Sequence, residues 1–211
     1  MMYNVNVLFS SCFSAPFLLV IFKFKHHDLM NSWAFTLNRY SNWKTLIGLV
    51  LLYLLFPLVL YKNAAEKINA LAGKEIGPVD LTFGFNPQRT LQMIEDYVDA
   101  ARAYYARIEL SIDLVYPIVY ALLFAVIITL IYRRLLGRPV MYLNLIPFAA
   151  MIFDYLENYT IVSMLRHYPE QSRAMAIFCE LFKLMKWLTF GLIIFLIFYG
   201  LAMLLFKRKR V

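Results

Sequence analysis

Apolar residues in this chain are gathered into long runs, and the runs set the architecture. A helix of about 20 apolar residues, within a range of roughly 17–25, crosses a bilayer core. Four stretches meet that length: Thr45–Tyr61, Ile112–Tyr132, Val140–Leu165 and Ile177–Phe206. The first carries no charge, and the second holds Asp113 near its start. The third has Asp154, Glu157 and Asn158 near its middle. The fourth opens with Glu180, Lys183 and Lys186 and then runs apolar to its end. The pattern predicts an all-α polytopic membrane protein, an antiparallel four-helix transmembrane bundle in one membrane domain over residues 45–211. Residues 1–44 form an N-terminal segment before it.

An earlier run, Val5–Phe22, fits a span less well. No charge precedes it and Lys23-Phe24-Lys25-His26-His27 follows, which reverses the order of a signal peptide. Residues 1–29 are open to three readings: translation from an upstream start codon ahead of Met30, an extra span, or a signal peptide.

The polar stretch 62–109 has its own order. Asn63–Ala72 reads as a short helix ending at Gly73, and Gly77-Pro78 breaks the chain. Asn86 followed by Pro87 is the signature of an N-cap and first helical residue. From there Leu91, Ile94, Val98, Ala101, Tyr105 and Ile108 fall at helical spacing. This predicts a helix that continues into the second span, so the excursion between spans one and two is helical.

Composition agrees: 62% of residues are hydrophobic, only 16% are charged, and the mean hydropathy is +0.64. Disorder and a disulfide scaffold are excluded. The net charge of +8 acquires meaning from its placement. Lys23, Lys25, Arg39, Lys44, Arg133, Arg134, Arg138 and Lys207–Arg210 all flank one side of the spans. That side has eleven of the 21 bases and, in Asp28, one of the 13 acids. Basic flanks stay cytoplasmic, so both termini are expected inside, with 62–109 and 166–176 outside. The tail Lys207–Arg210 then orients a span, and no nucleic-acid partner is implied.

Familiar catalytic signatures are missing. Cys12 and Cys179 form no C-x-x-C, and His26, His27 and His167 form no metal or haem motif. There is no phosphate loop, dinucleotide fingerprint or nucleophile elbow. No cofactor and no metal are expected.

Chemistry is concentrated in the ionisable residues of the spans, which are costly in a bilayer and face a cavity or a partner. Asp154, Glu157 and Asn158 stand at i, i+3, i+4 and share one face. Glu180, Lys183, Lys186 and Trp187 share another, as do Glu109, Asp113, Tyr116, Pro117 and Tyr120. At about 1.5 Å per residue, Asp154 and Glu157 lie roughly 15 and 11 Å below the outer end of their helix. Lys186 and Lys183 lie roughly 14 and 9 Å below it on the antiparallel neighbour. Matching depths predict pairs among Asp113, Asp154, Glu157, Lys183 and Lys186, with the phenols of Tyr116, Tyr120 and Tyr155 beside them. The inner halves of the spans carry almost no charge, which disfavours an ion-coupled carrier.

Phe83-Gly84-Phe85, Arg102-x-x-Tyr105, Asp113-x-x-Tyr116-Pro117-x-x-Tyr120, Pro147, Asp154-x-x-Glu157-Asn158, Tyr168-Pro169 and Lys186-Trp187 together resemble a group of small, uncharacterised prokaryotic four-span membrane proteins. The resemblance covers roughly Thr45 to Leu205. It implies a shared fold in a prokaryotic inner or plasma membrane and a shared outer polar site, with no activity attached. A more distant similarity links the span count and buried acids to EXPERA-type sterol-isomerase-like proteins. No residue role carries over from them.

The residues therefore support a pocket in the outer half of the bilayer that binds a lipid or small amphiphile. Its candidate lining is Asp113, Tyr116, Tyr120, Asp154, Glu157, Asn158, Lys183 and Lys186. Two alternatives stand beside it: a lipid-modifying or isomerising enzyme with Asp154 and Glu157 as acid and base, and a non-enzymatic accessory or assembly subunit. The corresponding partners are membrane lipid, another membrane protein or a second copy of the chain.

Overall fold

The structure, a computed structural model, describes residues 32–208. The expectations for residues 1–29, including Val5–Phe22, Cys12, His26 and His27, lie outside them. The regular structure of the described residues is all helical, without strand. In order they form α1 (32–40), α2 (Trp43–Ala72), α3 (Pro87–Asp96), α4 (Asp99–Glu109), α5 (Ile112–Leu136), α6 (Ile146–His167) and α7 (Arg173–Arg208). Three helical stretches are long and apolar enough to cross a membrane: Trp43–Ala72, Asp99–Leu136 and Arg173–Lys207. They mark the chain as a membrane protein. Helix α6, with 22 residues, is long enough to join them but carries the buried acids.

Helix α2 unites what the sequence pattern divided into a span and a separate helix at Asn63–Ala72. It starts where the Asn42 side-chain carbonyl accepts from the N–H groups of Lys44 (2.9 Å) and Thr45 (3.1 Å). It ends at Gly73, whose φ of 68° is the left-handed cap that glycine adopts without strain. Pro57 supplies no N–H to the preceding turn, and Phe56–Leu60 widens into a π turn. The Tyr61 N–H accordingly reaches back five residues to the Phe56 carbonyl.

The helix expected to run unbroken from Pro87 into the second span is instead three pieces. Asn86 caps α3 as expected, accepting from the Arg89 N–H at 3.1 Å. The chain then turns at Tyr97-Val98, because the Arg102 guanidinium takes over the orphaned carbonyls at the end of α3. It donates to the carbonyls of Ile94 (3.1 Å), Glu95 (3.5 Å) and Tyr97, pairs with Asp99 at 2.5 Å and stacks on Tyr168 at 3.7 Å. A second break at Leu110-Ser111 is stitched by the Ser111 hydroxyl, which donates to the Arg107 carbonyl at 2.6 Å.

The span expected from Val140 begins as a helix only at Ile146. Val140 is pinned to α1, where Asn38 donates to its carbonyl (2.7 Å) and accepts from its N–H (3.0 Å). Tyr142 adopts φ 69°, a single 3₁₀ turn follows at Leu143–Leu145, and Pro147 occupies the first turn of α6.

Packing centres on α5, which touches α2, α6 and α7, while α6 and α7 form the most extensive pair. Over its apolar window α5 is 56% buried, against 6% for α2 and 11% for α7. The outer faces of α2 and α7 leave Leu51, Leu58, Phe195 and Phe198 exposed, as lipid-facing surfaces do. One apolar cluster, around Ile128, Ile131, Val140, Ala150 and Ile193, joins α5, α6 and α7 near the basic end. Another, around Val79, Ile94, Ala101, Ile161 and Leu165, seats α3, α4 and the loop 73–86 as a cap on the opposite end.

Candidate functional site

Beneath this cap lies a cavity of about 670 Å³ bounded by α2, the loop 76–81, α4, α5, α6 and α7. Small-molecule sites occupy roughly 300–1,000 Å³ and are mainly apolar with a few convergent polar groups. This one fits that description. Its α2 wall is made by Tyr53, Pro57, Tyr61, Ala65 and Ile68. Steps of four residues would drift by about 40° each in an α-helix, and the wider π turn absorbs much of that drift. Pro57 thus keeps Tyr53 and Tyr61 on one wall.

The α5 wall presents Asp113, Tyr116, Tyr120 and Phe124. The Tyr116 ring is the hub of an aromatic group, with centroids 5.6 Å from Tyr53, 5.3 Å from Tyr61 and 5.4 Å from Tyr120. Asp113 Oδ1 accepts a short hydrogen bond from the Tyr61 hydroxyl. Asp154 reaches the cavity from α6 and Lys186 from α7. Lys186 Nζ donates to Asp154 Oδ1 at 3.2 Å and stands 2.5 Å from Glu157 Oε2, while the Tyr120 hydroxyl donates to Asp154 Oδ2 at 2.9 Å.

Asp113, Tyr116, Tyr120, Asp154 and Lys186 therefore share the cavity, as the helix faces suggest. Glu157 and Asn158 lie behind its wall. Glu157 is fully buried against Lys186, and its Oε1 has no hydrogen-bond partner among the described residues. Asn158 is placed to donate to the Asp113 carbonyl at 3.4 Å. With its amide turned over it donates instead to the Asp154 carbonyl (3.1 Å) and Glu109 Oε2 (3.2 Å). The second arrangement gives the buried Glu109 carboxylate a donor. The carbonyl of Asp113 is free for such contacts because Pro117, four residues on, has no N–H.

Two expectations are corrected here. Lys183 does not pair with Asp113, Asp154 or Glu157; it pairs with Glu180, one turn away on its own helix, and donates to the Thr82 hydroxyl at 2.6 Å. Glu180 in turn accepts from Thr90 Oγ1 (2.5 Å) and the Asn86 N–H (3.0 Å). This buried network fastens residues 82–90 to α7 and so holds the cap. Tyr155 turns away from the cavity and donates to the Leu114 carbonyl at 2.7 Å.

Asp80 and Tyr97, cavity residues that sequence patterning missed, come from irregular backbone. Asp80 is carried on the loop held by Tyr105, whose hydroxyl accepts from the Val79 N–H (3.1 Å) and donates to Asp80 Oδ1 (3.2 Å). Tyr97 ties the same loop through the Gly77 carbonyl at 2.7 Å. Burial, aided by the nearby Asp80 carboxylate, pushes the Tyr97 phenol above its ordinary range and keeps it a donor. Phe83 leans its ring on Trp187, 5.0 Å away, at the cavity edge. Among the described residues no group of three or more His, Cys, Asp and Glu is arranged to hold a metal ion.

Comparison with family models, with curated proteins and with solved structures finds no match to this chain.

Proposed function

We propose that this protein is a four-span membrane protein that binds a lipid or small amphiphile in the capped cavity. In this reading α6 is the fourth span. At about 1.5 Å per residue its 22 residues reach about 33 Å, the thickness of a hydrocarbon core. Its acids face protein, so lipid meets none of them. The basic end, with Arg133, Arg134 and Lys207, is cytoplasmic, and the cap lies outside. One observation carries the proposal: an aromatic and aliphatic cavity of about 670 Å³ holds a buried Lys186–Asp154 pair on its wall. A pair needed only for packing has no reason to border empty space, since apolar replacements of such pairs are often at least as stable. Of the two carboxyls that acid–base catalysis would use, Glu157 does not reach the cavity, whereas binding requires only Asp154 and Lys186.

The test is native mass spectrometry of gently purified protein, with identification of whatever small molecule is retained. A stoichiometric amphiphile that survives purification and is lost in Asp154→Asn, with folding near normal, is the expected result. Wild-type protein that retains nothing, even after reconstitution with extracted membrane lipid, would overturn it.

A further inference from the structure

The cavity is long and polarised. Along α5 its lining runs from Asp113 to Phe124, about 17 Å at 1.5 Å per residue. Near the cap the wall holds Asp80 and Asp113; toward the middle of the helices it becomes Phe124, Phe190 and Ile194. Lys186 is the single cation among the described lining residues, and it is held by Asp154 and Glu157. Asp80 and Asp113 face the same space without a lysine or arginine partner among the described residues, each accepting only from a phenol, Tyr105 and Tyr61 respectively. Three carboxyls against one ammonium leave the wall short of positive charge. Around them stand the faces of Tyr61 and Tyr116, and aromatic faces attract cations through their quadrupole.

The side of the cavity is as informative as its charge. Both α2 and α7 line it, and each packs on α5, but the two share no extended contact with one another. The outer faces of both helices are apolar, so a path to the cavity between them would run through lipid-facing surface.

We infer that the ligand is a lipophilic ammonium cation, a long-chain amine or quaternary ammonium, drawn from the bilayer through the gap between α2 and α7. Its headgroup sits between Asp80, Asp113 and the rings of Tyr61 and Tyr116, and its chain follows Phe124, Phe190 and Ile194. This rests on the reading of the cavity as an amphiphile site and adds the sign of the headgroup and the route of access.

Three twelve-carbon probes separate the two claims: dodecyltrimethylammonium, dodecanoate and uncharged 1-dodecylglycerol, each added to the full-length protein in lipid nanodiscs and read by native mass spectrometry. The expected result is one retained equivalent of the ammonium probe, at least tenfold more tightly than either of the others. The double variant Asp80→Asn/Asp113→Asn should lower that affinity to the level of 1-dodecylglycerol while leaving 1-dodecylglycerol itself unaffected, which also shows that the variant is folded. Should the double variant fail to fold, Asp80→Asn alone, on the loop, must still weaken the ammonium probe selectively. Equal or stronger retention of dodecanoate or 1-dodecylglycerol by the wild type overturns the cationic headgroup and spares the amphiphile reading. Retention of none of the three overturns both.

Discussion

Lys186 is the residue on which the interior electrostatics turn. Its ammonium faces Asp154 and Glu157 at 3.2 and 2.5 Å, all three nearly inaccessible to solvent. Removing the one cation of this cluster strands both carboxylates, at a cost of about 3–5 kcal/mol, whereas removing Asp154 leaves Lys186 paired with Glu157. Lys186→Met should therefore be strongly destabilising in thermal unfolding of the detergent-solubilised protein. Glu157→Gln added to Lys186→Met should return more than about 1 kcal/mol, because one stranded carboxylate is then neutral; strictly additive losses would show that the two side chains are not coupled. Part of this cluster was legible in the sequence. Helical spacing put Asp154 and Glu157 on one face, and equal depth on an antiparallel neighbour found Lys186. Depth alone could not foresee that Lys183 has a nearer partner in Glu180, or that the loop bearing Thr82 and Asn86 would close on that pair. Tyr61 and Asp80 were illegible for a related reason: a π turn aims one and a loop path the other, and neither follows a fixed period.

At the scale of elements, the apolar runs announced the long helices, while their ends and interruptions were decided by particular side chains. Proline within a helix signals an irregularity, yet the consequence at Pro57, one continuous helix with a widened turn, depends on the N–H it lacks. Pro57→Ala restores that N–H and lets α2 relax to ordinary α geometry, rotating Tyr61 away from Asp113. The expected outcome is an unchanged or higher melting temperature with about tenfold weaker retention of a cavity amphiphile; loss of stability without loss of binding would show that the π turn serves packing alone. A close approach of two helices lies at Gly200. A Cβ on Gly200 would lie 2.6 Å from Ile131 Cγ2 and 3.0 Å from the Tyr132 ring, so α7 approaches α5 there only because the residue is glycine. Gly200→Ala should cost about 1–3 kcal/mol through overpacking. Gly191→Ala on the same helix meets nothing within 4 Å and should be neutral or slightly stabilising. Parallel thermal unfolding of the two variants checks the contrast, and equal effects would place the α5–α7 contact elsewhere.

For the molecule as a whole, the number of crossings within the described residues turns on α6. Three helical stretches are long and apolar enough to cross, but α6 carries Asp154, Glu157 and Asn158, each buried within the protein. A helix whose acidic and amide residues face inward presents lipid with the apolar remainder, here Ile152, Leu156 and Tyr159, while Arg166 and His167 fall in its last turn, so a low average hydropathy does not forbid it a span. Crossing by α6 separates the turn at Arg138 from the turn at Ser172; if α6 stays on one side, both turns share a compartment. The two positions are exposed and suit single cysteines introduced after Cys12→Ser and Cys179→Ala. With a membrane-impermeant maleimide on intact cells, Ser172→Cys should label readily and Arg138→Cys only after permeabilisation. That pattern requires α6 to span and also fixes the basic end as cytoplasmic. Labelling of both, or of neither, in intact cells would return α6 to one face of the membrane. The cavity would then lie at a peripheral surface, where an amphiphile from the bilayer has no lateral route to it.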